Sequence, residues 1–205
     1  MNKNISKIKI PVTTLKDALA VRNFCMKRDD KFTHNLDEFR SINISFSNSD
    51  GLKISATDRQ ILAIAYTNRI GCGDIAFQLK REYHKDLIKF LPTKTEDDQL
   101  IEIIVYNNTV LFKLERENSA LTLGFDLPSL KFHDLERALK RFKNNSETLN
   151  TATSLTPKFM SNLVKIPNKQ SKNIVVSTMM DDKKNTHTMA ELSTDDIKWE
   201  ILEVL

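Results

Sequence analysis

Arg81, Lys85 and Lys89 recur at four-residue spacing inside KREYHKDLIKFLP. On a helix that spacing sets three cations in one line, opposite the apolar line Leu79, Tyr83, Leu87 and Phe90. Lys80 stands beside them. Such a line can meet a row of phosphates through contacts that read no base sequence and weaken with salt. An ordinary solvated helix face carries the same pattern. Lys16, Arg22 and Lys27 in LKDALAVRNFCMK form no clean stripe, and Lys158 and Lys165 are sparser still. Arg137, Lys140, Arg141 and Lys143 crowd the stretch FHDLERALKRFKNN. There Glu136 and Lys140 have the spacing of a helix-stabilising ion pair.

The segment 51–68, GLKISATDRQILAIAYTN, sets Thr57, Asp58 and Arg59 between two apolar runs. Thr57 and Asp58 can hydrogen-bond local backbone and shape a tight reversal, which makes the motif architectural. Arg59 protrudes from it, in reach of a phosphate or an acidic neighbour. Enzyme chemistry finds little support. His34, His84, His133 and His187 are scattered, with no HxH, HExxH or CxxC spacing. His84 falls within the basic helix surface and is expected to be exposed. Cys72 between Gly71 and Gly73 has no neighbouring base. The acidic clusters Glu96-Asp97-Asp98 and Asp181-Asp182 read as solvated turns rather than metal sites. No enzyme activity, metal or cofactor is expected.

The chain of 205 residues has a net charge of +4 and is 40% hydrophobic. A pI near 9.0 permits a polyanionic partner without requiring one. MNKNISKIKIPV is not a secretory leader, and no apolar run approaches the ~20 residues that cross a bilayer. With two cysteines and no disulfide framework, a cytoplasmic protein with free thiols and no membrane partner is the simplest expectation.

The elements that would position these residues repeat. A strand over 7–12 leads into a helix capped by Thr13 or Thr14 that carries Leu15, Ala18, Leu19 and Met26. Strands follow over 39–46, 52–56 and 61–67. The second unit has a strand over 74–79, the Lys80–Leu91 helix stopped by Pro92, and strands over 101–106, 109–116 and 119–125. An amphipathic helix lies in 127–145, with Leu135, Ala138, Leu139 and Phe142 on one side, and 144–153 is a polar linker. A third unit opens its helix at Thr156-Pro157 and continues with strands over 173–180, 186–192 and 199–205. The class is α+β, with strand-helix-three-strand units whose helices pack on antiparallel sheets.

The segment Ile54-Ser55-Ala56-Thr57-Asp58-Arg59-Gln60-Ile61-Leu62-Ala63, inside such a unit, resembles the bacterial DNA polymerase III beta subunit, the DNA sliding clamp. FQLKREYHKDLIKFLP, NNTVLFKLE, ALTLGFDLPSL, SLTPKFMSNLVKI and WEILEVL are similar to other clamp elements. The resemblance implies one full clamp-like domain over 1–127, a connecting helix and linker over 128–153, and a partial second domain over 154–205. Bacterial clamps carry three domains of two units each and close as dimers, so a ring of twelve units would take four copies of a three-unit chain.

The resemblance further implies a processivity factor that does no chemistry, oligomerises and contacts duplex DNA non-specifically through basic helices. The residues expected at DNA are Arg59, Lys80, Arg81, Lys85, Lys89, Lys16, Arg22, Arg137 and Arg141. Partners would be duplex DNA, further copies of the chain, and a DNA polymerase, clamp loader or host clamp. The alternative is a clamp-derived binding module that no longer encircles DNA and acts on replication proteins. In that case the strand over 199–205 would add to a partner's sheet, against which stands core packing of Trp199.

Overall fold

The computed structural model describes residues 5–26, 37–67, 74–93, 99–116, 119–128, 134–149, 155–164, 166 and 173–204. The expectations placed on Lys27, His34, Gly71 to Gly73, Glu96 to Asp98, His133 and Lys165 lie outside them.

β1 (Ile5–Pro11) alternates, and every second side chain turns inward, burying Ile8 and Ile10. Pro11 is extended and caps α1 (Val12–Ala18) without a side-chain bond. The Thr13 or Thr14 cap is therefore not used, because the fixed φ of Pro11 already directs the chain into the helix. The chain then tightens into a 3-10 segment, Leu19–Phe24, and ends at an extended Cys25, two residues short of the expected helical run. α2 (Asp37–Arg40) is a single turn, closed by the Ser41 hydroxyl donating to the Asp37 carbonyl. It delays the expected strand, so β2 spans Ser41–Ser47. The Asn48 to Gly51 turn follows, with Gly51 at φ 72°, and leads to β3 (Gly51–Thr57) and β4 (Ile61–Thr67).

The second unit contains β5 (Ile75–Lys80), α3 (Arg81–Phe90), β6 (Leu100–Tyr106), β7 (Thr109–Arg116) and β8 (Ser119–Asp126). α3 stops because Leu91, preceding Pro92, is pushed to an extended conformation. Asn107 takes the left-handed conformation that the two-residue β6–β7 reversal needs. α4 (Leu135–Asn144) is capped by Asp134, whose carboxylate accepts from the Arg137 amide. β9 (Glu147–Leu149) is a short strand inside the stretch read as linker. α5 (Pro157–Leu163) has Thr156 as its N-cap, as the Thr-Pro pair predicts. β10 (Asn173–Met180), β11 (Thr186–Ser193) and β12 (Ile197–Val204) complete the third unit.

The strands form two antiparallel sheets, ordered β1-β6-β7-β8 and β5-β2-β3-β4-β12-β11-β10-β9. The first strand of each of the first two units is exchanged: β1 closes the second unit's sheet and β5 closes the first unit's. These units share one core, in which Ile44, Ile54, Phe77, Ile103 and Phe112 meet Leu15, Val21, Phe24 and Leu87 of the helices. β12 lies in the middle of the larger sheet, paired with both β4 and β11, and Trp199 is fully buried. It is not a free strand for a partner's sheet. Alternation along β4 and β12 sends Ala63, Ala65, Trp199 and Ile201 to the face that carries α1, the 3-10 segment and Phe159 of α5. Ile64 and Leu202 go to the other face, where Leu139, Met179 and Met189 close a smaller core under α4. Helices thus cover both faces of the larger sheet.

Candidate nucleic-acid interface

Each cation singled out in the sequence finds a definite place, and the set does not share one surface. Lys85 and Lys89 are exposed on α3 and form no ion pair among the described residues. Glu82 and Asp86 are exposed on the same helix, so the stripe is mixed rather than purely basic. Arg81, first in that line, turns inward. Its Nη1 donates to the Cys25 carbonyl at 3.3 Å and the Met26 carbonyl at 2.7 Å, tying the end of the first helical stretch to the start of α3. Lys80 lies 4.0 Å from Glu82.

Lys16 donates through Nζ to the carbonyls of Pro92 and Thr93, at 3.3 and 3.4 Å. Arg22 is half-buried and donates to the Leu19 carbonyl at 3.1 Å; burial lowers its pKa below the usual arginine range. Both therefore serve the fold, where helical periodicity alone sets no such duty. Arg137 and Arg141 are exposed, on α4 and thus across the sheet from α1 and α5. Neither can reach an object that touches α1 or α5 from the opposite side.

The Thr57 to Ile61 turn is architectural. The Thr57 hydroxyl donates to the Ile61 carbonyl at 2.8 Å and accepts from the Arg59 amide at 3.1 Å. Asp58 Oδ1 accepts from the Gln60 and Ile61 amides. Its other oxygen pairs with Lys158 Nζ at 2.7 Å, and the same ammonium donates to Gln60 Oε1 at 3.1 Å. Lys158 belongs to α5, so the turn also locks the third unit's helix to the first unit. Nothing in the spacing of residues 58 and 158 announces that bond. Arg59 is exposed at φ 79°, with its guanidinium 5.9 Å from the centre of the Phe39 ring.

His84 is buried, contrary to the expected exposure. Its Nε2 donates to the Leu79 carbonyl at 3.0 Å, and burial pushes its pKa down to about 4. The reason is local: position 84 falls on the α3 face beside Leu87, turned away from Lys85. Asp181 fits the turn reading, accepting from the amides of Lys183 and Asn185 and from His187 Nε2. Hydrogen bonding from Asn185 is the main cause that holds its pKa down near 2. Among the described residues no three His, Cys, Asp or Glu side chains gather as a metal site, and no helix is long and apolar enough to cross a membrane.

Sequence reasoning missed two features. Arg40, Lys80 and Arg81 line a cleft of about 320 Å³ with Asp37, Ser41 and Glu82, assembled across a gap of forty residues that leaves no local signal. α4 is docked by charge as well as by its apolar stripe. Lys143 bridges Glu191 at 2.7 Å and Glu200 at 2.8 Å, and Lys198 reaches Glu200 at 2.6 Å. Burial alone would raise the Glu200 pKa, but hydrogen bonds from Lys143 and Lys198 outweigh it and hold the carboxylate ionised. Glu136 pairs with Lys140, as its spacing predicts, and with Lys53 of β3, both at 2.7 Å.

No family model and no curated protein matches the chain. Solved structures do. The DNA polymerase sliding clamp from Bacillus subtilis superposes with a TM-score of 0.61 at 15% identity, covering 97% of this chain and 64% of that one. The DNA polymerase III subunit beta from Pseudomonas aeruginosa gives 0.66 at 14% identity, over 98% of this chain and 66% of its own. The beta clamp of Helicobacter pylori gives 0.65 at 14% identity, over 100% and 66%. The likeness is one of fold, and the chain spans about two thirds of the length of these structures.

Proposed function

We propose, from the sliding-clamp fold that this chain adopts over almost its whole length, that it is a clamp-like DNA-tethering protein. It assembles with further copies and holds duplex DNA without reading its sequence. The observation that carries this reading is the superposition on sliding clamps over 97–100% of the chain. Residues 1–127 then act as a full domain of two units and 154–205 as part of a second, joined through 128–153. On this reading the protein is a processivity factor rather than an enzyme. Its partners are duplex DNA and replication proteins such as a polymerase, a loader or a host clamp.

Lys85 and Lys89 are the cations best placed to face phosphates, because they are exposed and form no ion pair among the described residues. The test is association with a fluorescent duplex across a salt series. Salt-sensitive, sequence-independent binding supports tethering. Binding that is absent at low salt refutes it.

One observation favours a second reading, a clamp-derived module that engages replication proteins without encircling DNA. Lys16, Arg22, Arg81 and Lys158 are all held by internal carbonyls or carboxylates, which leaves the helix face thin in free charge. A chain that binds a purified replicative clamp or polymerase but no duplex would establish that reading instead.

A further inference from the structure

The helices of the three units open alike. Pro11, Lys80 and Thr156 precede them in the same extended conformation, with ψ of 138°, 146° and 146°. Counted from the first helical residue, Leu15, His84 and Met160 share the fourth place, and Leu19, Ile88 and Val164 share the eighth. α1 and α5 also close alike, with Leu19 and Val164 as C-caps at φ −64° and −66°.

In the first two units, which share a core, these places are covered. Leu15, Leu19 and His84 are buried, and Ile88 packs against that core. In the third unit Met160 is 42% exposed and Val164 71%. The strand that follows each helix differs in the same way. β2 is flanked over 41–46 by β5 and β6 over 100–106 by β1, in each case the first strand of the other unit. β10 has β9 of its own unit, over 178–180 alone. Among the described residues 173–177 have no strand on that side. There Ile174, paired with the core residue Leu192 on the face of α5, is 51% exposed.

α5 is also short of charge. Its exposed positions are Pro157, Lys158, Met160, Ser161 and Val164, and Lys158 is held by Asp58. α3 exposes Glu82, Lys85, Asp86 and Lys89. Depletion of charge marks the centre of an interface between chains.

The first two units show how such helices meet. Lys16, fifth in α1, bonds the carbonyls of Pro92 and Thr93, twelfth and thirteenth from the start of α3. Arg81, first in α3, bonds those of Cys25 and Met26, fourteenth and fifteenth from the start of α1. Each helix start is tied to the end of the other, so the two run antiparallel about an axis near the eighth place.

We propose that the third units of two copies of this chain pack against each other on a two-fold axis near Val164, with α5 antiparallel to α5, as the first two units do within one chain. Met160, Val164 and Ile174 are then covered, and each third unit gains the second half that the first two give each other. The contact is isologous. It deepens the self-assembly proposed above and rests on that part of the reading, independently of DNA contact.

The test uses the full chain bearing Val164→Cys, with Met160→Cys as the register control, and a short bismaleimide. On the axis residue 164 lies beside its own copy, whereas residue 160 is displaced from its copy by about 12 Å along the antiparallel helices. Val164→Cys is expected to give several-fold more covalent dimer than Met160→Cys, above any seen for the natural chain.

Val164→Glu sets two carboxylates together among apolar side chains and is expected to weaken the dimer at least tenfold in light scattering over a concentration series. Circular dichroism should show the same folded chain, since Val164 is exposed in a single copy. A natural chain that is monomeric at every concentration overturns the proposal. So do an assembly whose mass Val164→Glu leaves unchanged and equal cross-linking of the two cysteine variants. A dimer that Val164→Glu splits but that ignores duplex DNA refutes tethering alone. A monomer that holds DNA refutes only this packing.

Discussion

Replacing Lys85 and Lys89 together with alanine isolates the electrostatic core of the tethering proposal. Of the cations named from the sequence, Arg81, Lys16 and Arg22 are committed to internal carbonyls, while Arg137 and Arg141 lie across the sheet. If DNA lies at α3 as proposed, the double variant removes two phosphate contacts and leaves the core intact. Each contact contributes about 0.9 to the slope of log affinity against log salt, so the slope should fall by about 1.8. Between about 50 and 200 mM salt, the natural chain should then lose roughly 12-fold more affinity than the variant. Fluorescence anisotropy of a labelled duplex, titrated at four or five salt concentrations, measures both slopes. Arg137→Ala with Arg141→Ala is the control and should leave the slope unchanged. Parallel salt lines for the Lys85, Lys89 variant would refute the placement of DNA at α3. An equal effect of the α4 pair would refute the assignment of faces.

Other perturbations read the scaffold. Arg81→Ala strands the Cys25 and Met26 carbonyls and should cost about 1.5–3 kcal/mol in urea unfolding, because the lost bonds have a charged donor. A loss near zero would show that water replaces the guanidinium. Asp58→Ala removes two amide bonds and the ion pair, and should destabilise by about 1–3 kcal/mol. Lys158→Ala removes an ion pair whose lysine is half-exposed and should cost under about 1 kcal/mol; equal losses would mean that the pair, not the turn, holds Asp58. Burial depresses the His84 pKa from 6.5 to about 4, so its neutral form stabilises the fold above pH 6.5. That contribution fades as pH falls through 6.5 towards 4 and amounts to about 3 kcal/mol. Chemical unfolding across this range should show the loss in the natural chain and its absence in His84→Gln; identical profiles would sink it.

Much of the fold was legible in the chain. Two-residue alternation in β1, β3 and β7, the Asn-Asn and Asn-Ser-Asp-Gly reversals, and the proline that ends α3 are local signals, and local sterics decide them. The Thr-Pro start of α5 and the Glu136–Lys140 pair belong to the same class. β9 and α2 were not legible. Each is a few residues long, held in place by a neighbour that lies far along the chain or by a single side-chain bond, and no periodic pattern is that short.

The sequence by itself determined the order of the longer elements, the three-fold recurrence of helix and strands, and the absence of any motif for metal or nucleophilic chemistry. It also carried the local turn bonds of Thr57 and Asp58. Only the tertiary structure decided which cations are free. Arg81 and Lys85 are one helical turn apart and chemically alike, yet one closes a gap between carbonyls and the other faces solvent. That difference comes from where Cys25 and Met26 end, fifty-five residues upstream. The tertiary structure also set α4 on the opposite face from α1 and α5 and put Trp199 at the centre of a sheet. Periodicity gives the face of an element that is buried, whereas its neighbours are fixed by long-range pairing.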